Sequence, residues 1–218
     1  MAEKVAVTRI INGLSKLYPN PQPSLDFKNP FELLVATILA AQCTDVRVNK
    51  ITPALFRAAS SPEKMIALGG KKLEGYIRST GFFRAKAKSL MGACRALKEK
   101  FNGKIPSSLE ELTALPGVGR KTASVVLSQA FDIPAFPVDR HVLRVANRLG
   151  LAASKTPDET DLQLRAAIPK HFWIRLHMQL VAHGRQICRP NPKCGACALL
   201  SDCPEGKRRI KSRKSNQN

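Results

Sequence analysis

Few stretches restrict a fold as tightly as Leu115-Pro116-Gly117-Val118-Gly119-Arg120-Lys121-Thr122-Ala123. Pro116 cannot continue a helix, and Gly117 and Gly119 admit positive φ at no steric cost, so the segment predicts a turn between two helices. Ahead of it, Ser107 is placed as N-cap of a capping box with Glu110 three residues on. Leu109, Leu112 and Leu115 share one face of the helix so opened. Behind the turn, Ala123, Val126, Leu127 and Ala130 are spaced as a buried stripe. The pattern is a helix-hairpin-helix. Its turn, Pro116, Gly117, Val118, Gly119 and Arg120, lets the backbone approach another backbone closely, and N–H groups at a helix start favour a phosphate there.

Lys121 lies in the first turn of the second helix, beside Arg120 and near the positive end of the helix dipole. Both neighbours disfavour its ammonium form, and partial burial adds to that. An uncharged amine is a nucleophile that forms Schiff bases with carbonyl carbons. On the hairpin alone, Lys121 reads equally well as one more phosphate-binding cation. Eighteen positions further on, Asp139 stands where it can cap a helix carrying Val142, Val145, Ala146 and Leu149 and closed by Gly150. An isolated aspartate in such a place is usually only a cap.

Charge narrows the class of partner. The 218 residues carry 36 Lys+Arg against 16 Asp+Glu, a formal net charge of +20. A surplus of that size points to a polyanion, nucleic acid above all. An anionic membrane is the competing partner, but no basic amphipathic helix supports it. No apolar run reaches the length of a membrane span, and Met1-Ala2-Glu3-Lys4 starts no signal peptide. The expected address is therefore the cytoplasm, with the nucleoid as the place of work in a bacterial cell. A length of 218 residues suits one large domain or two small ones.

The remaining segments read as helices. Val5 to Tyr18 places Ile10, Ile11, Leu14 and Leu17 on one side, and Pro19–Pro23 breaks it. Asn29-Pro30-Phe31-Glu32 supplies a cap, a proline at N1 and an acid in the first turn. The helix it opens is apolar all round to about Ala41, as a central helix is. Thr44 caps a further helix toward Ala58, and Ser61-Pro62-Glu63 opens a short one ended by Gly69-Gly70. Lys71 to Ser79 and Arg84 to Phe101 follow, with Phe82 and Phe83 at the junction. Thr156-Pro157-Asp158-Glu159 opens a helix to about Ile168, and Phe172–Gln186 is the last long one. Period-2 alternation is missing, so the expected fold class is all-α. His171, His177 and His183, six apart, do not share a helix face at ligand spacing.

Cys188, Cys194, Cys197 and Cys203 crowd into sixteen residues. Four such thiols in a reducing compartment indicate metal, either zinc or an iron–sulfur cluster, and spacing alone does not choose. Cys43 and Cys94 read as buried apolar fillers. The end, Lys207 to Lys214, is a polybasic tail expected to be disordered and to add non-specific affinity for phosphates.

Taken together, the Leu115–Ala123 segment and Val138-Asp139-Arg140-His141 resemble the helix-hairpin-helix/Gly-Pro-Asp DNA glycosylases, and among them the endonuclease III family. The run Leu180-Val181-Ala182-His183-Gly184-Arg185 ahead of the first cysteine extends the resemblance, which covers nearly the whole chain to Cys203. It implies two helical lobes, one of residues 22–131 with the hairpin, the other of residues 1–21 and 132–206 with an iron–sulfur loop. It implies a bifunctional DNA glycosylase/AP lyase of base excision repair, a monomer acting on oxidised pyrimidines or abasic sites in double-stranded DNA. In that scheme Lys121 attacks the sugar, Asp139 assists, and the four cysteines hold a [4Fe–4S] cluster. Gln42 and Phe82 enter the duplex, and His141, Arg189 and Lys193 join the hairpin in binding DNA. Two departures stand out: five residues rather than six separate Cys188 from Cys194, and Phe82 replaces an aliphatic side chain, with Phe83 beside it. A monofunctional mismatch glycosylase of this fold would usually lack the lysine. A non-catalytic helix-hairpin-helix protein would need neither Asp139 nor a cluster.

Overall fold

A computed structural model of the chain describes residues 2–215. Among them are the helices α1 (Ala2–Leu17), α2 (Pro30–Leu39), α3 (Asp45–Ala58), α4 (Pro62–Leu68), α5 (Gly70–Ile77), α6 (Phe83–Phe101), α7 (Leu109–Thr113), α8 (Arg120–Ala130), α9 (Arg140–Leu149), α10 (Pro157–Ala167), α11 (Trp173–Gln186) and α12 (Pro204–Ser215), with short 3-10 turns. The described residues contain no strand, so the fold is all-α as the periodicity predicts. They divide into two compact units, Pro23–Ala135, and Met1–Gln22 with Phe136–Asn218. The dividing point falls at Ala135, four residues beyond the expected Phe131, because Phe131, Ile133 and Ala135 still pack on the core of the first unit.

The Pro23–Ala135 unit is built around α2. Asn29 caps it, accepting a hydrogen bond from the Glu32 N–H at 3.0 Å, and every residue from Phe31 to Leu39 is buried. Two of these nine are polar, and each is satisfied locally. Glu32 accepts from the Lys28 N–H at 2.8 Å, and the Thr37 hydroxyl donates to the Leu33 carbonyl at 2.7 Å. Against α2 pack Val48 and Leu55 of α3, Leu90 and Leu97 of α6, and Ala123 and Val126 of α8, none exposed by more than 1%.

The other unit has its own core, in which α9 packs on α11 and α11 on α1. Ile10, Ile11 and Leu14 of α1 are buried there, but Leu17, expected on the same side, is 41% exposed. Gly184 of α11 makes the approach to α9 possible. A Cβ at that position would stand 3.1 Å from the His141 Cβ and 3.1 Å from a Val145 methyl.

The basic tail is not disordered over its described part. Residues 204–215 form α12, and only 216–218 of the expected tail lie outside the described residues. Three local causes start this helix. Pro204 occupies its first position, the Cys203 carbonyl accepts from the Lys207 N–H at 3.1 Å, and the Cys203 Sγ accepts from the Gly206 N–H at 3.2 Å. Glu205 then pairs with Arg208 at 2.8 Å and Arg209 at 2.7 Å, three and four residues on.

Candidate functional site

The hairpin takes the predicted form with its cap moved by one residue. Ser108, not Ser107, is the N-cap of α7: its Oγ accepts from the Glu111 N–H at 3.2 Å and donates to the Glu111 carboxylate at 2.7 Å. Leu112 and Leu115 reach the core, while Leu109 is only partly buried. The turn closes through the Val118 N–H on the Leu115 carbonyl at 3.1 Å. Gly117 has φ of 76°, and a Cβ there would collide with the Ser89 side chain of α6. Pro116, Gly117, Gly119 and Arg120 are exposed, whereas the Val118 side chain is 5% exposed and anchors the turn from below. Val118 can therefore serve a ligand only through its backbone. No side chain caps α8 at Gly119, so its first N–H groups face outward, as an anion site requires.

Lys121 is the second residue of α8 and is exposed, which corrects the expectation of partial burial. The stripe that holds α8 on the core is Ala123, Val126 and Leu127, and Lys121 lies outside it.

Gln42 and Phe82 share an unusual backbone. Both are exposed and both have positive φ, 52° and 47°. The Phe82–Phe83 ambiguity ends here. Phe82 is 68% exposed, while Phe83 packs against the core with the Arg84 guanidinium 5.0 Å from its ring centre. Cys43, expected to be buried, is half-buried; Cys94 is buried as expected.

In the other unit, Asp139 caps α9. Its Oδ1 accepts from the His141 N–H at 2.7 Å and the Val142 N–H at 2.8 Å. Phe136, Pro137 and Val138 ahead of it are buried and fix its approach. His141 is half-buried, and burial lowers its pKa, with the Asp139 charge opposing and the Arg144, Arg185 and Arg140 charges adding. Arg144, a donor only, lies 3.1 Å from the His141 Nδ1. That nitrogen is then the acceptor and Nε2 carries the proton of the neutral ring.

Cys188, Cys194, Cys197 and Cys203 line a single small cavity of about 20 Å³, together with Arg148, Leu149, His183 and Ile187. None forms a disulfide. Burial pushes the thiols of Cys197 and Cys203 up, each opposed by one backbone hydrogen bond and reinforced by the neighbouring cysteines. Among the described residues, no three His, Cys, Asp or Glu groups meet the spacing of a single bound metal ion. Sequence reading missed the residues that hold this loop. Arg148 donates to the carbonyls of Arg189 at 2.6 Å and Pro190 at 2.9 Å and lies 3.6 Å from the Cys188 Sγ; Arg144 donates to the carbonyls of Cys188 and Gly184. His183 is not a bystander either, with Nε2 3.7 Å from the Cys197 Sγ and Nδ1 3.2 Å from the Tyr18 hydroxyl. The only advance signal was the recurrence of Arg at 144 and 148, one turn apart. Arg189 and Lys193 are both exposed, and Arg189 donates from Nε to the Arg185 carbonyl at 2.8 Å.

Comparison with known proteins decides the family. The profile described as HhH-GPD superfamily base excision DNA repair protein matches residues 35–170, a span from α2 to the turn after α10 that takes in the hairpin and Asp139. The chain belongs to the HhH-GPD superfamily. Within this superfamily it is 46% identical over 205 residues to endonuclease III of Synechocystis sp., covering 93% of this chain and 94% of the relative. Endonuclease III of Escherichia coli is 41% identical over 202 residues, 92% and 95% of the two chains. A solved structure of a trapped endonuclease III–DNA covalent intermediate superposes with a TM-score of 0.91 at 42% identity, covering 95% of this chain and 98% of that one. This HhH-GPD protein is an enzyme of the endonuclease III kind, a DNA glycosylase with AP lyase activity. Among the described residues, no helix is long and apolar enough to cross a membrane.

Proposed function

We propose that the chain, as a monomer, excises oxidised or ring-fragmented pyrimidines from double-stranded DNA, with Lys121 as nucleophile and Asp139 as its assistant. A base inside a duplex is out of reach, so the damaged nucleotide is flipped out. The Lys121 Nζ forms a bond to the anomeric sugar carbon while the glycosidic bond breaks and the base leaves with a proton. Asp139 stabilises positive charge developing on the sugar or takes a proton from the amine. The opened sugar is then a Schiff base. Loss of its α-proton expels the 3′-phosphate by β-elimination, nicking the strand 3′ to the lesion, and water releases the lysine. Because Lys121 is exposed, the bound duplex, not the protein core, removes water from the amine.

One observation carries the reading. The amine stands directly behind an uncapped helix start and a hairpin whose Pro116, Gly117, Gly119 and Arg120 all face solvent. The covalent endonuclease III–DNA intermediate named for a 42%-identical relative supports the same chemistry. Borohydride trapping on abasic DNA tests it: the wild-type chain should cross-link and Lys121→Gln should not. Normal trapping by that variant would move the nucleophile elsewhere.

Gln42 and Phe82 fill the gap left by the flipped nucleotide, an apolar wedge offsetting part of the unstacking cost. Hairpin backbone, His141, Arg189 and Lys193 meet phosphates, and α12 adds non-specific affinity. The [4Fe–4S] cluster is held by Cys188, Cys194, Cys197 and Cys203. Their donor set suits it, since thiolates favour iron–sulfur clusters and each iron takes one thiolate, so the four ligands need not converge on a point. When bound, the cluster supplies a covalent tie for the chain's end and no redox step. Iron and sulfide at four each per chain should be found, and Cys194→Ser should lower stability and DNA affinity together. One zinc per chain would replace the cluster in this account.

A further inference from the structure

Two segments that lead to Gln42 and Phe82 end on one buried atom. Leu39 is the last residue of α2, and a carbonyl in the final turn finds no acceptor role within its own helix. Thr80 closes the 3-10 turn Arg78–Thr80, 2% exposed, with its hydroxyl already donating to the Ile77 carbonyl at 2.8 Å. Lys86, in the first turn of α6, donates from Nζ to the Leu39 carbonyl at 2.8 Å and to the Thr80 carbonyl at 2.8 Å. Its backbone N–H donates to the Phe82 carbonyl at 3.0 Å.

Lys86 is only 6% exposed, and burial holds its ammonium below the usual lysine range, with Cys43 acting in the opposite sense. A buried cation is costly unless hydrogen-bonded, and a Leu or Met stem would fill the same space without that cost. What an apolar residue could not do is join two chain ends. The C-terminal end of a helix is electronegative, so a cation set against the end of α2 is electrostatically favoured.

The residues that follow these tie points are strained. Gln42, three after Leu39, and Phe82, two after Thr80, both have positive φ, a conformation that crowds the Cβ of an ordinary side chain. Such residues persist where their surroundings over-determine them. Neither side chain is buried, so packing of the side chains themselves does not hold them. The backbone ahead of each is what the lysine grips.

We propose that Lys86 is the positioning residue of the duplex-entering pair, its one ammonium locking the Leu39 and Thr80 carbonyls so that Gln42 and Phe82 enter the duplex as a single preset wedge. The proposal rests on the reading of Gln42 and Phe82 as the gap-filling side chains. A preset wedge loses little conformational freedom on binding, so more of the contact energy remains for unstacking.

Lys86→Met keeps an apolar stem of similar length and removes all three donors. Base excision from a lesion-bearing duplex should fall by about 10²-fold, the scale of a displaced positioning group, with the loss in kcat rather than KM. Borohydride trapping on a single-stranded abasic oligonucleotide, which has nothing to unstack, should be unchanged. A 2-aminopurine placed beside the lesion should lose the fluorescence rise that reports unstacking. Equal losses on duplex and single strand, or no loss on either, would overturn the proposal. If Lys86→Met does not fold, Lys86→Gln retains two N–H donors on a shorter stem and should show the same duplex-selective loss in weaker form. Full duplex activity in a folded Lys86→Gln would also overturn it. Alanine at Gln42 and at Phe82 separates the two readings. If those variants lose duplex and single-strand activity alike, the wedge itself fails. If they lose duplex activity selectively and the Lys86 variants do not, only the role of Lys86 fails.

Discussion

Lys86 and Lys121 lie in the first turns of two long helices of the same unit, α6 and α8, yet their surroundings are opposite. The first is 6% exposed with its ammonium donating to two main-chain carbonyls. The second is exposed, and no side-chain hydrogen bond or ion pair holds it among the described residues. A lysine whose protons are committed to carbonyls works as a strut, because attack needs a lone pair and room to reach a carbon. One left in water beside an uncapped helix start keeps the room to reach a carbon. The same division runs through the other candidate groups, with Phe82 exposed and Phe83 packed, and Asp139 in between as a cap that is half-buried.

The harshest test of this division is Lys121→Gln. Base excision, nicking and borohydride trapping should all vanish, while DNA affinity and its salt slope change by no more than about one phosphate contact. Loss of trapping in a folded Lys86→Gln with retention in Lys121→Gln would invert the comparison.

Asp139→Asn should slow excision by roughly 10²–10⁴-fold, the usual scale of a positioned acid–base group. Asn caps helices about as well as Asp, so the melting temperature should hold. A lowered melting temperature with an unchanged rate would leave Asp139 as the cap of α9 and nothing more.

Phe82→Ala and Phe83→Ala should move different observables. Truncating the packed Phe83 should cost about 1–3 kcal/mol in denaturant unfolding, below the full-burial range because it is only partly enclosed. Phe82→Ala should leave unfolding unchanged and cut excision from duplex more than trapping on single strands. The reverse pattern would exchange their roles.

The smallest effect concerns Cys94. Burial, with the Glu63 charge second, pushes its thiol from the ordinary 9.0 up to about 12. A pKa raised on folding means stability fully present below pH 9 and lost as pH rises from about 9 toward 12. Iodoacetamide at pH 8 should therefore modify the half-buried Cys43 well before Cys94, which should react only as fast as the chain opens. Equal rates would show that burial does not protect it.

Much of this molecule was legible from local spacing. Asn29, Thr44, Asp139 and Thr156 were placed as caps and Ser61 as part of a helix start, and each accepts a backbone N–H from two or three residues on. The apolar α2 was read as central, and all of Phe31–Leu39 is buried. These signals act within one turn of helix, so neighbours in sequence carry them. Failures arose where two local readings competed. Ser107 and Ser108 are both capping residues with a glutamate three ahead, and the burial of Leu112 and Leu115 favours the register that starts at Ser108. The basic end read as a disordered tail because of its run of like charges, and Cys203, Pro204 and Glu205 nonetheless start α12.

By itself, then, the sequence determined the helical class, the hairpin, the cap at Asp139, the four closely spaced cysteines and the choice of Lys121 as candidate nucleophile. Tertiary structure decided that Lys121 stays in water, that Phe82 and not Phe83 faces out, and that the four thiols border one cavity. It alone revealed Lys86, whose partner Leu39 lies 47 residues away. Spacing fixes what a residue meets within four positions along a helix. Which groups are stripped of water, and by what distant carbonyl they are then satisfied, is settled only when helices pack.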